Sequence, residues 1–428
     1  MTMPSSPAPL APSRIAADAM PGGHDRVAVV DWLLEEGRQS ISIQRLLDAF
    51  CRRLIETGLP LVRAVCGLQL LHPQIRSTAY FWRQDRAAVE MRNRLHGSET
   101  DVDYRTSPFA TLMEDGADGM RYRLEQMEGP WPYPILGELR DQGLTDYVAM
   151  TVRFASGRRN VLSLATGRPG GFSTEDLALV DAVLPAFGAV LETLALRRLS
   201  ATVLDTYVGR RTGTRILSGD IRRGTGANVR AVLWYCDLRG FTSLADRLPR
   251  EELIALLNGY FEAMGGAVEA HGGEILKFIG DAMLALFPLD RDGEPDAAPG
   301  LSDEARACAK ALDAATDALQ AMERLNAARA AWGQPTLRCG IALHIGDVMY
   351  GNIGTATRLD FTVIGPAVNL LSRIEGLCDT LGRAVLTSAD FASAFADACT
   401  ECGKRLSTIG HHPVKGLAEP VEVFELTG

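Results

Sequence analysis

The sequence predicts an α/β (α+β) protein built from two domains and a helical connector. The 428 residues are enough for two or three domains of about 150 residues each. The continuous apolar run 231–236 is typical of a strand buried on both faces, and a helical pattern follows over 251–270. Farther upstream, the β-prone runs 147–154 and 160–166 flank a short loop that contains Gly157, which predicts a hairpin.

The composition excludes several classes of protein. Hydrophobic residues make up 46% of the chain and charged residues 23%, as in ordinary globular proteins. The formal net charge of −9 gives no overall attraction for nucleic acid or anionic lipid. No uninterrupted run of about 18 apolar residues occurs, so we expect no membrane span and a cytoplasmic location. Of the eight cysteines only Cys399 and Cys402 form a CxxC pair, and we expect free thiols rather than a metal site.

Changes in pattern predict four segments. Residues 1–25 are rich in Pro, Ser and Ala and are expected to form a flexible tail. Residues 26–195 form a first domain, with helices from about Val27 and strands near 64–71 and 79–82. Residues 196–228, rich in basic residues and Gly, form a connector, and residues 229–428 form a second domain.

A long helix is predicted to start at Ser173 or Thr174, where a hydroxyl N-cap precedes acidic residues. Its apolar residues recur at alternating spacings of three and four, which is typical of a coiled-coil seam. The alternative is that this stripe packs on the sheet of its own domain. Pro185 is expected to kink the helix. The stripe consists of Leu177, Val180, Leu184, Phe187, Leu191 and Leu194.

The first domain resembles a GAF-like sensory domain, most closely over Val148 to Leu194. The resemblance lies in the order of helix, central strands, hairpin and long exit helix. It implies that this domain binds an unidentified small-molecule ligand or serves dimerisation, and that it regulates the second domain.

Two carboxylates lie at strand ends in the second domain. Asp237 follows the buried strand, and Asp281 lies at the turn between two later strands. They converge if the later hairpin pairs beside the first strand. Converging carboxylates suit Mg²⁺ that also holds substrate phosphates, and a paired metal site of this type drives phosphoryl transfer. Either aspartate alone would more simply cap a turn.

The flanks of these aspartates resemble class III nucleotidyl cyclases. The blocks are DLRGFT (237–242), KFIGD (277–281) and VIGPAVNLLSRIE (363–375), with a central strand at 340–348 between the last two. The resemblance covers about 229–428. It implies a ferredoxin-like, palm-type domain that converts ATP to 3′,5′-cyclic AMP and pyrophosphate, in a head-to-tail homodimer with its sites at the interface.

The resemblance also implies metal ligands. Asp237 and Asp281 would hold two Mg²⁺ or Mn²⁺ ions, and Leu238 would contribute its backbone carbonyl to one of them.

The partner chain would supply the substrate contacts. By resemblance, Lys277 and Thr362 would contact the purine, Asn369 the ribose, Arg373 the α-phosphate and Lys415 the terminal phosphates. Asn369 and Arg373 are four residues apart on a helical pattern and therefore point the same way. Arg suits a spread phosphoryl charge, and Lys a terminal phosphate.

Specificity for ATP depends on two of these positions. Lys277 favours adenine, since guanine-reading cyclases usually carry Glu there. Thr362 stands where many adenylate cyclases have Asp, and its hydroxyl can still accept a hydrogen bond. The alternatives are a guanylate cyclase and a catalytically silent cyclase-like regulatory protein; retention of the metal and transition-state positions disfavours the latter.

Overall fold

The computed structural model describes residues 23–69, 74–97, 102–114, 116–222, 224–289, 302–402 and 405–427. The chain forms two compact units, Met1–Val203 and Leu204–Gly428. They are called here the N-terminal and C-terminal units.

The N-terminal unit contains one antiparallel sheet with strand order β3-β2-β1-β6-β5-β4. Its strands are β1 (Arg63–Gln69), β2 (Ile75–Arg83), β3 (Glu90–Leu95), β4 (Gly119–Tyr122), β5 (Asp146–Arg153) and β6 (Arg159–Thr166). Its helices are α1 (Gly23–Glu35), α2 (Ile43–Glu56), α3 (Val102–Arg105), α4 (Pro108–Glu114), α5 (Pro134–Asp141) and α6 (Thr174–Val208). The predicted hairpin is confirmed as β5–β6.

The two faces of this sheet are covered by different helices. The helices α1, α2 and α6 pack on one face, where the rings of Phe50 and Phe187 stack 4.3 Å apart. On the other face α4 and α5 pack around Leu112, Leu136 and Leu139.

The apolar stripe of α6 belongs to the core of its own unit. Val180, Leu184, Phe187, Leu191 and Leu194 are buried in the same cluster as α2 and the sheet. The coiled-coil prediction is therefore wrong for this stretch, and packing on the domain's own sheet is what the structure shows. The helix begins at Thr174, as predicted, and Ser173 Oγ accepts a hydrogen bond from the Asp176 N–H. It continues past Pro185 and into the predicted connector as far as Val208.

Helix α6 is long and apolar enough, by length and composition, to cross a membrane. The expected absence of a membrane span is based on the lack of an uninterrupted apolar run, and it stays a prediction. Asp181 and Glu192 interrupt the apolar residues of α6, but they leave its average hydropathy high enough to meet this criterion. A core helix passes the same test, and the buried stripe shows that α6 serves as one. The cytoplasmic location stays a prediction.

The C-terminal unit is built on an eight-stranded sheet with order β13-β14-β12-β10-β7-β9-β8, in which β11 pairs with the far half of β10. The strands are β7 (Gly226–Leu238), β8 (Glu274–Ile279), β9 (Ala282–Pro288), β10 (Cys339–Gly354), β11 (Leu359–Ile364), β12 (Val385–Ser388), β13 (Arg405–His412) and β14 (Val421–Thr427). The helices are α7 (Arg210–Leu217), α8 (Phe241–Ala245), α9 (Arg250–Ala270), α10 (Asp303–Ala331), α11 (Pro366–Leu381) and α12 (Ala389–Cys402).

Strand β7 is buried on both faces, as predicted from its continuous apolar run. Val232, Trp234 and Cys236 pack with α9, α10 and α12, whereas Leu233 packs on the α11 side. Because side chains alternate along a strand, Asp237 lies on the α11 side where the strand ends. The six cysteines with described side chains are free. The side chains of Cys399 and Cys402 lie outside the described residues.

The short helix α7 of the connector packs on the β10–β11 hairpin. The Thr212 hydroxyl lies 2.8 Å from the Tyr350 hydroxyl, and the Arg215 guanidinium lies over the rings of Tyr350 and Phe361. The Thr212 N–H and the Tyr350 O–H both donate to Glu274 Oε1 at 3.4 Å. Burial raises the pKa of Glu274. One contact network therefore joins the connector to β8 and β10.

Candidate active site

Asp237 and Asp281 converge at one end of the sheet. Strand β7 pairs antiparallel with β9, with Cys236 opposite Met283, so Asp237 lies beside the β8–β9 turn that carries Asp281. Gly280 makes this turn with φ +65°. Burial, and then a hydrogen bond and charge repulsion from Asp237, raise the pKa of Asp281 to about 6. The strand order places these carboxylates together, as the sequence predicted.

This carboxylate pair fits a divalent cation. Two close carboxylates are a usual protein contribution to Mg²⁺, which takes its remaining ligands from water and substrate phosphates. Their mutual repulsion is relieved when a cation lies between them. The Leu238 N–H donates to Asp237 Oδ1 at 2.9 Å, which places the backbone of Leu238 next to the pair. Within the described ranges, no group of three or more His, Cys, Asp or Glu side chains could hold a metal ion.

A buried ion pair joins the loop after Asp237 to helix α11. Arg239 Nη2 lies 2.6 Å from Glu375 Oε1, with side-chain exposures of 14% and 5%, and donates a hydrogen bond to the Glu375 carbonyl at 3.0 Å. Arg239 Nη2 and Glu375 Oε1 are close enough for an ion pair, but their geometry does not meet the angle required for a hydrogen bond. Burial raises the pKa of Glu375 to about 7 against the opposing effect of Arg239, and Asp237 and Asp281 add to the rise.

Gly340 makes room for this ion pair. A Cβ at Gly340 would overlap the Arg239 guanidinium and lie 2.6 Å from Glu375 Oε1. Arg239 and Glu375 lie inside the sequence blocks of the resemblance, but the sequence alone assigned them no role. No sequence signal pairs them, because 136 positions separate them.

Helix α11 carries Asn369 and Arg373 on one side. Pro366 occupies the first turn, where a missing N–H costs no hydrogen bond. Leu371 and Ile374 are buried against the sheet, whereas Asn369 is exposed and Arg373 is half-buried. Asn369 and Arg373 therefore lie on the same side of α11, as predicted.

The turn that carries Lys415 packs against Arg373. Gly416 has φ +82°, and a Cβ there would lie 3.2 Å from Arg373 Nη2. Lys415 itself is exposed. The two cations predicted to bind phosphates therefore lie in neighbouring segments of one chain.

The predicted purine contacts lie on facing strands. Lys277 Nζ on β8 donates to Asp360 Oδ2 on β11 at 2.6 Å. Thr362 lies two residues farther along β11, on the same face and about 7 Å away. It is 7% exposed, and Thr362 Oγ1 has no hydrogen-bond partner in the described structure. Asp360 was not predicted, although its period-two relation to Thr362 could have indicated it.

The comparisons with known proteins agree with this arrangement. Residues 228–427 match the family model of the adenylate and guanylate cyclase catalytic domain. This part of the chain is a class III cyclase catalytic domain. The match confirms the predicted family for residues 228–427, which are called the cyclase domain from here. The GAF-like identity of the N-terminal unit stays a prediction.

Named relatives of the cyclase domain include adenylate cyclases. The chain is 34% identical to an adenylate cyclase of Anabaena cylindrica over 211 residues, which are 48% of this chain and 38% of that protein. It is 29% identical to adenylate cyclase 1 of Rhizobium meliloti over 194 residues, 45% of this chain and 27% of that protein. Among solved structures, an adenylyl cyclase of P. aeruginosa is 26% identical with a TM-score of 0.38, covering 48% of this chain and 96% of that one. The chain thus spans well under half the length of these two curated relatives.

The buried ion pair predicts a strongly non-additive double-mutant cycle. At pH 8, Arg239→Met should lower the free energy of unfolding of the cyclase domain by about 3–5 kcal/mol, because it leaves the Glu375 charge buried. Adding Glu375→Met should recover much of this loss. At pH 6 the cost of Arg239→Met should be smaller, since Glu375 protonates near pH 7. Denaturant titrations of the four proteins measure the cycle.

The exposed pair Arg230–Glu304, with side-chain exposures of 43% and 38%, provides the control. Arg230→Met should cost about 1 kcal/mol or less. Additive losses for Arg239→Met and Glu375→Met would contradict a stabilising role for the buried pair.

Asp281 should destabilise the metal-free domain above pH 6. In EDTA at pH 8, Asp281→Asn should raise the Tm, by about 2–4 °C for each kcal/mol removed from the cost of burying this charge beside Asp237. The gain should fade as the pH drops from about 6, where native Asp281 takes up a proton, to the ordinary pKa of 3.8, below which the carboxyl is neutral in both the folded and the unfolded chain. Thermal scans from pH 4 to 8 measure it. The exposed Asp246→Asn serves as control and should show no such gain; a gain for Asp281→Asn that is equal at all pH values would refute the repulsion.

Proposed function

We propose that the chain is an adenylate cyclase that converts ATP to 3′,5′-cyclic AMP and pyrophosphate in a head-to-tail homodimer, under the control of its N-terminal unit. The observation that carries the proposal is the convergence of Asp237 and Asp281, in a domain of the cyclase family.

Asp237, Asp281 and the carbonyl of Leu238 would hold two Mg²⁺ or Mn²⁺ ions. Such ions supply charge neutralisation at the phosphates and make a bound hydroxyl more acidic. The close carboxylates and their mutual repulsion support this assignment.

The substrate's own 3′-hydroxyl loses its proton to water and attacks the α-phosphate in line, and the bond from the α-phosphorus to the bridging oxygen breaks as pyrophosphate leaves. The protein contributes no nucleophile, so positioning and charge stabilisation supply the rate. Asn369 orients the ribose, and the planar Arg373 guanidinium spreads over the charge that develops on the α-phosphate. Lys415 binds the terminal phosphates, and its proximity to Arg373 through the Gly416 turn supports these paired roles.

The base contacts favour adenine over guanine. Asp360 fixes the ammonium group of Lys277 as a donor toward the purine edge. The unsatisfied hydroxyl of Thr362 is available to the adenine amino group, because a buried hydroxyl without a partner is unfavourable until a ligand supplies one. A guanylate cyclase is the alternative, and Lys277 disfavours it.

The two halves of each site would come from different chains. Asp237 and Asp281 of one chain would face the substrate residues of the other. Exposed apolar side chains flank the turn before Asp281: Phe278 is 53% exposed and Ile279 47%. Adjacent exposed apolar residues of this kind are typical of interaction surfaces.

Regulation by the N-terminal unit would pass through α7. The contacts of Thr212 and Arg215 with Tyr350 and Phe361 tie this helix to the hairpin that carries Thr362.

Product analysis tests the activity and its base preference. Purified chain with Mn²⁺ and ATP should yield cyclic AMP, with far less cyclic GMP from GTP. Lys277→Glu should lower ATP turnover far more than GTP turnover, because a positive donor becomes an acceptor facing adenine. Chromatography of the cyclic products measures both.

Lys277→Glu would also place a second carboxylate next to Asp360, and the two would repel each other. The double variant Lys277→Glu with Asp360→Asn removes this repulsion, so that any remaining change in the ATP-to-GTP preference reports the contact with the base. Equal losses with ATP and GTP in both variants would exclude Lys277 as a base-reading residue. No cyclic product from either nucleotide would refute the enzyme itself.

Complementation tests the shared site. Asp237→Ala and Arg373→Ala should each inactivate the homodimer. In a mixed dimer one site collects both lesions and the other is intact, so random mixing should restore roughly a quarter of wild-type activity by symmetry. Co-expression with two different tags allows the mixed dimer to be isolated and assayed.

A pair with both lesions among the metal ligands is the matched control. Mixing Asp237→Ala with Asp281→Ala leaves a lesion in every site, so activity should stay absent. If the isolated Asp237→Ala/Arg373→Ala dimer is equally inactive, each site lies within one chain.

A further inference from the structure

The N-terminal unit contains a cavity of about 330 Å³. It lies on the sheet face opposite α1, α2 and α6. Strands β1, β2, β3 and β6 form its floor, and α3, α4 and α5 form its walls. Its volume is at the lower end of the range for small-molecule sites, about 300–1,000 Å³.

Most of this cavity is apolar. Phe81 and Ala79 line the β2 side, while Phe109, Ile135 and Leu139 come from α4 and α5. Gly67 leaves the space that the Phe109 ring fills, since a Cβ there would lie 2.8 Å from the ring. These uncharged side chains are suited to contact the apolar body of a ligand.

One cation lies in the floor without a matching anion. Arg63 is half-buried on the central strand β1 and lines the cavity. Among the described residues, no carboxylate forms an ion pair with it. Burial lowers the pKa of Arg63, and Arg83 and Arg92 lower it further, whereas Tyr147 and Glu138 only partly oppose this.

Other polar residues also line the cavity. Ser163 lies near Arg63, on the neighbouring strand β6, where it pairs with Val65. Ser77 and the half-buried Arg94 lie toward the other end of the cavity, because Ser77 pairs with Gln69 at the far end of β1 and Arg94 pairs with Ser77. The lining carboxylates, those of Asp103 and Glu138, belong to exposed residues. Positive charge therefore dominates where water is scarce, and negative charge lies toward solvent.

We infer that this cavity binds a small organic anion, with one carboxylate, sulfonate or phosphate group held by Arg63 and an apolar body packed between the sheet and α4–α5. An unpaired, partly desolvated guanidinium gains most from an oxyanion, which it can bind through two parallel hydrogen bonds. This inference goes beyond the proposed cyclase activity and does not depend on it, because binding is measured without nucleotide.

A matched pair of fluorescent probes tests the inference on the full chain. Anilinonaphthalene sulfonate carries an anionic group on an aromatic body, and N-phenylnaphthylamine has that body without the charge. The sulfonate should bind saturably. Arg63→Gln should weaken it at least about tenfold, the loss of one hydrogen bond between charged groups, and should change N-phenylnaphthylamine affinity less than about twofold.

Three further variants complete the design. Arg63→Lys keeps the charge and should retain more sulfonate affinity than Arg63→Gln. Arg45→Gln is the control, since Arg45 is an exposed residue of α2 on the opposite side of the sheet, and it should change neither probe. Ala79→Leu narrows the cavity and should weaken both probes, which keeps the test decisive if Arg63→Gln does not fold.

Absence of saturable sulfonate binding, or binding unchanged in both Arg63→Gln and Ala79→Leu, overturns the inference. Equal weakening of both probes by a folded Arg63→Gln overturns the assignment of the anion to Arg63. Thermal scans of each variant establish that it is folded.

Discussion

The ion pair between Arg239 and Glu375 is the contact on which the cyclase domain's geometry depends. It joins the loop after Asp237 to the helix that carries Asn369 and Arg373. Within one chain it therefore fixes the Asp237 end of β7 relative to helix α11. If these groups serve two different sites of a dimer, as proposed, the same pair sets the spacing between the two half-sites. Neither side chain can shift alone, because each would leave a buried charge behind.

The electrostatics of this region are unbalanced without a ligand. Asp237, Asp281 and Glu375 interact with one another, and Arg239 offsets only part of their charge. Such clustering raises carboxyl pKa values toward neutrality. Bound cations would offset the repulsion among these carboxylates, and substrate phosphates would balance the cations. This loaded form is the one in which the proposed cyclase would work. The cost of holding like charges together is characteristic of functional sites.

The sequence predicted the elements with strong local patterns. The strand at Asp237, the β8–β9 turn and the α11 helix all follow from apolar runs, glycines and helical spacing, and the strand order then brings Asp237 to Asp281. Two features could not be predicted from the sequence alone. The partners Asp360 and Glu375 depend on contacts between distant segments, which local patterns do not encode. The α6 stripe fits a coiled coil and a domain core equally well, because both bury the same face, and only the presence of α2 decides between them.

The contact of α7 with two separate strands has a consequence for how control could be exerted. Thr212 reaches Glu274, three residues before Lys277 on β8, and Tyr350, on the strand that pairs with the Thr362 segment. In the proposed cyclase, a shift of this helix would therefore act on both strands that carry the purine contacts, β8 with Lys277 and, through β10, β11 with Thr362. An input of this kind would change the proposed base contacts, and with them the affinity for nucleotide and the KM. Control would then be graded by cellular nucleotide concentration and would vanish at saturation.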